Sequence, residues 1–335
     1  MEARAGESVV FVGNTPAEDL SVVERLCMAR RVTMSYSRDL GGVERPTRVL
    51  GVLGPTGLPN TTGRGDGASE CEVVVARWGA QECGRAVADA LGCRLEIAPS
   101  ADVAAVAEHT VLLLLALAHR LDDARRAMLA EAQSPREEPR LTSQRVHRFN
   151  WVGLSGARPL FGARIGVVGL GAIGGAVARI LVGLGADVGY TKRTRLGESE
   201  ERKLKLRHFE LDDLLKWAEF LTVHTRFDEE HGPLLGAREF SLMSPGTVLV
   251  NTARGRLIDE EALAESLENE HLGGAGLDVY GWEPIRPDSR LLRCPNVVLT
   301  PHVAGIPPDQ ARTLEIVRCA QLAVEVAVDR PQVGV

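Results

Sequence analysis

The stretch Ile165-Gly166-Val167-Val168-Gly169-Leu170-Gly171-Ala172-Ile173-Gly174 is a run of branched apolar residues that meets spaced glycines and continues into an apolar segment over 172–184. This pattern predicts a buried strand, a tight turn and a helix in succession. Gly169 permits the turn, Gly171 lets the backbone approach a pyrophosphate, and Gly174 lets the helix pack closely on the strand. With Ala172 and Ile173 the helix start offers free N–H groups to an anion. The spacing therefore points to a bound dinucleotide.

The same strand–helix rhythm runs outward in both directions. Beyond the glycines, strands are expected at 187–191, 220–225, 247–251, 275–279 and 297–300, with helices near 211–218 and 259–270. Before them, short runs rich in Val, Leu and Ile predict strands at 9–12, 32–35, 48–53, 72–76 and 94–97, with helices at 17–29 and 83–91. The Gly/Pro/Thr-rich residues 54–67 read as a loop. Alternating β and α predicts parallel sheets covered by helices on both faces, an α/β fold of two Rossmann-like doubly wound domains. A helix is expected from near Asp102, with Val103, Val106, Thr110, Leu113, Leu114 and Leu117 on the 3.6 period. Its run 111–118 is apolar nearly all round, which predicts burial between domains or subunits. Residues 134–160 read as a polar surface excursion. A final helix over 309–328 would place Leu314, Val317, Ala320 and Val324 on one face.

Bulk properties narrow the function. The chain has 335 residues, enough for two domains, and a net charge of −6. That balance speaks against nucleic acid as a partner. The longest apolar run, 111–118, is far short of the about 20 residues that cross a bilayer, and no leader opens the sequence. A cytoplasmic protein with no membrane partner is expected. Cys27, Cys71, Cys83, Cys93, Cys294 and Cys319 form no CxxC pair, so reduced, mostly buried thiols and no metal site are expected. The tripeptide Arg64-Gly65-Asp66 in the Gly-rich loop is read as chance.

Cofactor choice is read at the tip of the strand after the glycines. A carboxylate about 20 residues on ordinarily holds the ribose 2′-hydroxyl of NAD. Here the sequence runs Tyr190-Thr191-Lys192-Arg193-Thr194-Arg195, three cations and no acid. Cations attract a 2′-phosphate where an Asp repels it, so NADP(H) is expected to be preferred over NAD(H). Lys192, Arg193 and Thr194 are the residues that would meet it.

Further polar residues follow later strands, where open α/β sheets bind ligands. They lie in Asn251-Thr252-Ala253-Arg254-Gly255, in Gly276-Leu277-Asp278-Val279-Tyr280-Gly281-Trp282-Glu283-Pro284 and in Thr300-Pro301-His302. Reducing a keto acid requires a proton donor for the carbonyl oxygen, and oxidising the alcohol requires a base. His302 can do both near neutral pH. Glu283 beside it would fix the ring tautomer and favour the protonated ring. Arg254 can grip a carboxylate with two parallel donors and polarise the neighbouring carbonyl. The expected activity is hydride transfer between a nicotinamide dinucleotide and a small 2-hydroxy or 2-keto acid.

The order of these motifs resembles the D-isomer-specific 2-hydroxyacid dehydrogenase family, as do Val106-Ala107-Glu108-His109-Thr110 and Leu234-Leu235-Gly236-Ala237-Arg238-Glu239. The resemblance spans roughly 70–330 and is specific from 160 to 305. It implies catalytic roles for Arg254, Glu283 and His302, and cofactor contacts at Gly171–Gly174, Thr252, Ala253 and Asp278. It implies a nucleotide domain over 104–303 inserted into a substrate domain of 1–103 plus 304–335, and a homodimer formed through the nucleotide domain. Three departures stand out. The family's Gly-x-Gly-x-Asp substrate loop is here Trp78-Gly79-Ala80-Gln81-Glu82-Cys83, so Trp78, Gly79 and Ala80 would meet the substrate on an altered loop. The acidic cofactor-selecting position is Lys192. A His-x-Pro pattern near the adenine is here His224-Thr225-Arg226, which sets Arg226 near the adenosine end.

Two other functions fit parts of this pattern. Transcriptional corepressors share the fold and the Arg/Glu/His set and act as dinucleotide-gated binding proteins. Related phosphite dehydrogenases, which act on a phosphorus oxyanion, resemble the tail at Leu314-Glu315-Ile316-Val317-Arg318-Cys319-Ala320, but their substrate-loop lysine is replaced by Ala80.

Overall fold

The computed structural model describes residues 8–13, 15, 17–30, 32–37, 49–53, 71–77, 81–98, 100–134, 138–294, 296–306 and 308–328. The loop reading at 54–67 and the substrate-loop residues Trp78, Gly79 and Ala80 lie outside them.

In chain order the elements are β1 (Ser8–Val12), α1 (Ala17–Arg30), β2 (Thr33–Ser37), β3 (Val49–Val52), β4 (Val73–Ala76), α2 (Gln81–Leu91) and β5 (Arg94–Ile97). Then follow α3 (Ala101–Ala118), α4 (Leu121–Gln133), β6 (Arg164–Val168), α5 (Ala172–Gly183), β7 (Asp187–Thr191), α6 (Glu198–Leu204) and β8 (Leu206–His208). The rest are α7 (Leu211–Trp217), β9 (Phe220–Val223), α8 (Ala237–Leu242), β10 (Val248–Asn251), α9 (Glu260–Glu268), β11 (Gly274–Leu277), β12 (Val297–Leu299) and α10 (Pro308–Val328). They divide into one unit of Met1–Asp102 with Ile306–Val335 and a second, Val103–Gly305, inserted in its chain.

The first unit is a five-stranded parallel sheet of order β2-β1-β3-β4-β5. Every residue of β3 and β4 is buried, as expected of strands covered on both faces. On one face Val23 and Cys27 of α1 and Ile316, Cys319, Ala320, Ala323 and Val324 of α10 pack on Val9, Phe11, Val49 and Val75. On the other, Val87 and Ala88 of α2 pack on Val10, Leu50 and Val74. The face of α10 therefore differs from the one read in the sequence. Ala320 and Val324 are buried, but Leu314 is exposed, and the small residues Cys319 and Ala323 let the helix lie close to the sheet.

The second unit is a seven-stranded parallel sheet of order β12-β11-β10-β9-β6-β7-β8. Helices α3 and α5 cover one face, and α7, α8 and α9 the other. The chain leaves β6 toward β7 and β8, then returns to β9 on the opposite side, which opens a crevice at the carboxyl ends of β6 and β9. The expected burial of α3 holds for Ala107, Thr110, Val111, Leu113, Leu114 and Ala118, whereas Leu112 is exposed. Among the described residues no single helix is long and apolar enough to cross a membrane. Cys27, Cys294 and Cys319 are buried, and Cys71, Cys83 and Cys93 are half-buried.

Candidate active site

The glycine turn sits at the end of β6, in the crevice. Gly169 has φ +93°, and a Cβ there would lie 2.6 Å from the carbonyl oxygen of His224. A Cβ at Gly174 would lie 2.0 Å from the carbonyl oxygen of Gly169. Both positions exclude a side chain for reasons of backbone geometry and packing. Gly171 instead faces open space, with nothing within 4 Å of its absent Cβ. It is the N-cap of α5 and supplies no side-chain cap. An open backbone cradle at the positive end of a helix suits a pyrophosphate, so these residues fit a dinucleotide. His224 packs behind the turn, 2.5 Å from the hydroxyl of Thr222, and burial pushes its ring down to about 4. It is a neutral wall of the crevice.

The cations at the tip of β7 are not equivalent. Arg195 donates to both carboxylate oxygens of Glu201, at 2.9 and 2.8 Å, and the Tyr190 hydroxyl donates to Glu201 at 2.8 Å. The amide of Leu196 donates to Tyr190 Oη at 2.9 Å. Arg195 and Tyr190 hold the Glu201 carboxyl down to about 2. A guanidinium committed to a carboxylate is not offered to a phosphate, which leaves Lys192 and Arg193 of the three cations on this stretch. Lys192, Arg193 and Arg226 have no ion-pair partner among the described residues, and Arg193 and Arg226 are exposed. Hydrogen bonds from the Glu230 amide and His231, helped by the charge of Arg193, keep the Asp228 carboxyl below its ordinary value. Arg193 thus lies within electrostatic reach of an acid as well.

Arg254, Glu283 and His302 follow three adjacent strands, β10, β11 and β12. His302 Nδ1 lies 2.7 Å from Glu283 Oε2, and Glu283 Oε1 accepts from the amide of Tyr280 at 3.1 Å. Burial opposes ionisation of Glu283, but the hydrogen bonds from His302 and the Tyr280 amide outweigh it and hold the carboxyl below the usual carboxylate range. Both side chains of the pair remain solvent-accessible. Arg254 is exposed, donates to its own neighbour Ala253 O at 2.6 Å and has no ion-pair partner among the described residues. A cavity of about 510 Å³ is lined by Phe227, Arg256, Trp282 and Arg286 among others, and by none of Arg254, Glu283 and His302.

Buried polar groups fix the three loops. Asn251, fully buried, accepts from the amide of Ala253 and donates to Arg254 O, which shapes the turn before Arg254. A Cβ on Gly255 would lie 1.9 Å from the Tyr280 carbonyl carbon, so the Arg254 and Glu283 loops touch backbone to backbone. Glu260, at the start of α9, accepts from the Gly281 amide at 2.6 Å. The Tyr280 hydroxyl is shared between Leu277 O at 3.1 Å and Thr300 O at 2.9 Å, and burial pushes it up to about 12. It ties the end of β11 to the end of β12. His302 itself sits at φ +55°, in the left-handed region. Such a conformation in a non-glycine residue persists only where its surroundings impose it. Sequence alone points to Asp278 only as a cofactor contact. Its carboxylate is fully buried and accepts from the hydroxyl of Thr300 at 2.6 Å and from the amides of Val303 and Ala304 at 2.9 Å each. Glu260, Tyr280 and Thr300 carry no signal in the sequence that would single them out from other polar residues.

Fold and site together define a Rossmann-type dinucleotide-binding unit that carries an Arg, a Glu and a His at the ends of adjacent strands. Residues 111–304 match the model for the D-isomer specific 2-hydroxyacid dehydrogenase NAD binding domain. The chain belongs to that family. It is 39% identical over 146 residues to a glyoxylate reductase of Korarchaeum cryptofilum, which covers 44% of each chain. It is 35% identical over 252 residues to the D-3-phosphoglycerate dehydrogenase of Mycobacterium tuberculosis, covering 74% of this chain and 44% of that protein. The match thus spans less than half the length of either relative. The crystal structure of the TT0316 protein from Thermus thermophilus superposes with a TM-score of 0.52 at 28% identity, covering 95% of this chain and 94% of that one.

Proposed function

We propose that the protein reduces a small 2-keto acid to the 2-hydroxy acid, or runs the reverse reaction, with NADP(H) preferred over NAD(H). The observation that carries this reading is the 2.7 Å pair of His302 Nδ1 and Glu283, accessible to solvent and one strand away from Arg254, on a unit whose glycine turn fits a dinucleotide. The nicotinamide, when bound, supplies or accepts the hydride. With Nδ1 turned to Glu283, Nε2 is the nitrogen left to give a proton to the carbonyl oxygen or take one from the hydroxyl. Glu283 is ionised across the neutral range and, through its contact with Nδ1, orients the ring for that transfer. Once the proton has moved, the neutral ring keeps its remaining hydrogen on Nδ1, facing Glu283. Arg254 takes the substrate carboxylate in a two-donor grip and draws electron density from the adjacent carbonyl. Gly169, Gly171, Ala172, Ile173, Gly174, Thr252, Ala253 and Asp278 hold the cofactor. Lys192, Arg193, Thr194 and Arg226 meet the 2′-phosphate.

A panel of glyoxylate, hydroxypyruvate, pyruvate and bulkier branched or aromatic keto acids, run with NADPH and NADH side by side, tests the proposal. Turnover of at least one keto acid, faster with NADPH at low ionic strength, is expected. Tight dinucleotide binding without turnover of any keto acid would instead favour a dinucleotide-gated binding protein.

We also propose that the protein is a homodimer joined through the second unit. Leu112 of α3, Leu121 and Leu129 of α4, and Phe149 and Trp151 beyond them are large apolar side chains left exposed within a short span. The segment beyond α4 is tied to the end of α3 by the Arg158 amide on Ala118 O and by Arg120 on Ser155 O. An apolar surface of this kind suits a second copy of the chain. Sedimentation equilibrium should give twice the chain mass; a monomer at micromolar concentration contradicts it.

A further inference from the structure

Two neighbouring side chains of α3 reach the loops that carry Arg254 and His302. Thr110 is fully buried. Its hydroxyl donates back to Val106 O at 2.7 Å and lies 2.8 Å from the hydroxyl of Thr252. A hydroxyl has one proton to give. With that proton on Val106 O, Thr110 accepts from Thr252, two residues before Arg254. His109 is largely buried, and its Nε2 lies 3.0 Å from the hydroxyl of Thr300, two residues before His302. Thr300 spends its proton on Asp278, at 2.6 Å. It therefore accepts from His109, which requires the tautomer with hydrogen on Nε2. The same nitrogen is 3.5 Å from Asp278 Oδ1. Asp278 in turn holds the amides of Val303 and Ala304.

We propose that His109 and Thr110 are a two-armed brace for the active site. Thr110 sets the Arg254 loop through Thr252, and His109 sets the His302 loop through Thr300 and Asp278. Both are positioning residues, acting through the side chains they touch: Thr252, Thr300 and Asp278. Adjacent residues on one helix thereby set both loops; among the described residues no side-chain hydrogen bond joins Arg254 to His302. The proposal rests on the roles given above to Arg254 and His302.

The two arms separate in kinetics. Thr110→Val keeps the shape and removes the hydroxyl. It should raise KM for the keto acid about tenfold with kcat nearly unchanged, the size of one lost hydrogen bond. His109→Asn leaves a polar group that does not reach Thr300. It should lower kcat about tenfold with KM nearly unchanged. Thr110→Ser and His109→Gln, which keep a hydroxyl and a donor near the Nε2 position, should restore most of each loss. Amide hydrogen exchange at Val303 and Ala304 should speed up in His109→Asn and not in Thr110→Val, whatever happens to turnover. Equal losses in both parameters for both variants, no recovery by Ser and Gln, or unchanged exchange in His109→Asn would overturn the brace. If His302→Ala leaves kcat intact, the underlying assignment of His302 fails instead. The exchange result still judges the brace in that case.

Discussion

The two ends of the cofactor crevice are built on different principles. At the ends of β10, β11 and β12 the functional loops are fixed by buried polar groups: Asn251, Thr110, Thr252 and Asp278 are all buried and hydrogen-bonded. At the tip of β7 the candidate groups are cations, Arg193 exposed and Lys192 half-buried, on a loop clamped through Tyr190–Glu201–Arg195. Proton transfer requires heavy atoms at hydrogen-bond distance, so it depends on rigid support. Discrimination by charge acts over a longer range and tolerates flexible side chains. The comparison predicts that substitutions at the rigid end cost catalysis, while those at the charged end shift preference.

The largest effect is expected at His302. His302→Ala should lower kcat roughly 10²- to 10⁴-fold, measured with saturating cofactor and keto acid. Arg254→Lys comes next. An ammonium lacks the planar two-donor fork, so KM for the keto acid should rise roughly ten- to a hundredfold and kcat should fall. A variant that matches the native enzyme on both counts would remove Arg254 from the substrate.

At the charged end the expected effects are smaller. With Arg195 committed to Glu201, the proposed preference for NADPH rests on Lys192, Arg193 and Arg226, and it is expected to be roughly ten- to a hundredfold in kcat/KM. Lys192→Asp should erode or reverse it while leaving turnover with saturating NADH intact, and added salt should weaken the native preference. Equal use of NADH and NADPH by the native enzyme at low ionic strength would make the loop mere surface. The smallest effect concerns stability. Glu201 ionises near 2 instead of its ordinary 4.5, so its ion pair stabilises the fold at pH above about 4.5 and loses that contribution as pH falls toward 2. The melting temperature of Glu201→Gln should lie modestly below the native value at neutral pH, since Arg195 is half exposed. The gap should narrow on acidification; a constant gap would contradict the ion-pair account.

What is legible in the sequence follows the same division. Glycine spacing and alternating Val-rich runs give the parallel sheets, because fully buried strands must be apolar on both faces. Arg254, Glu283 and His302 are legible because their chemistry is distinctive and each follows a strand. Helix α4 is not read from the sequence: none of its residues is buried, its large apolar residues Leu121, Met128 and Leu129 are all exposed, and Arg126 pairs with Asp122 and Asp123. Short α6, β8 and α8 fall below the length at which periodicity speaks. The face of α10 is misread from periodicity because Leu314 outweighs Cys319 and Ala323 in hydrophobicity, although the small residues are the ones that fit against the sheet. The withdrawal of Arg195 and the support from His109, Thr110 and Tyr280 depend on which side chains meet in space, which spacing along the chain does not encode.

The central claim is that His302 and Glu283 act as one acid–base unit, and a double-mutant cycle read in kcat tests it most directly. Glu283→Gln alone should lower kcat, because the carboxylate that orients the ring through Nδ1 is gone. In a His302→Ala background the same change should cost almost nothing further, since groups that act as a unit are not additive. If the two losses multiply, the two residues act independently and the account is wrong.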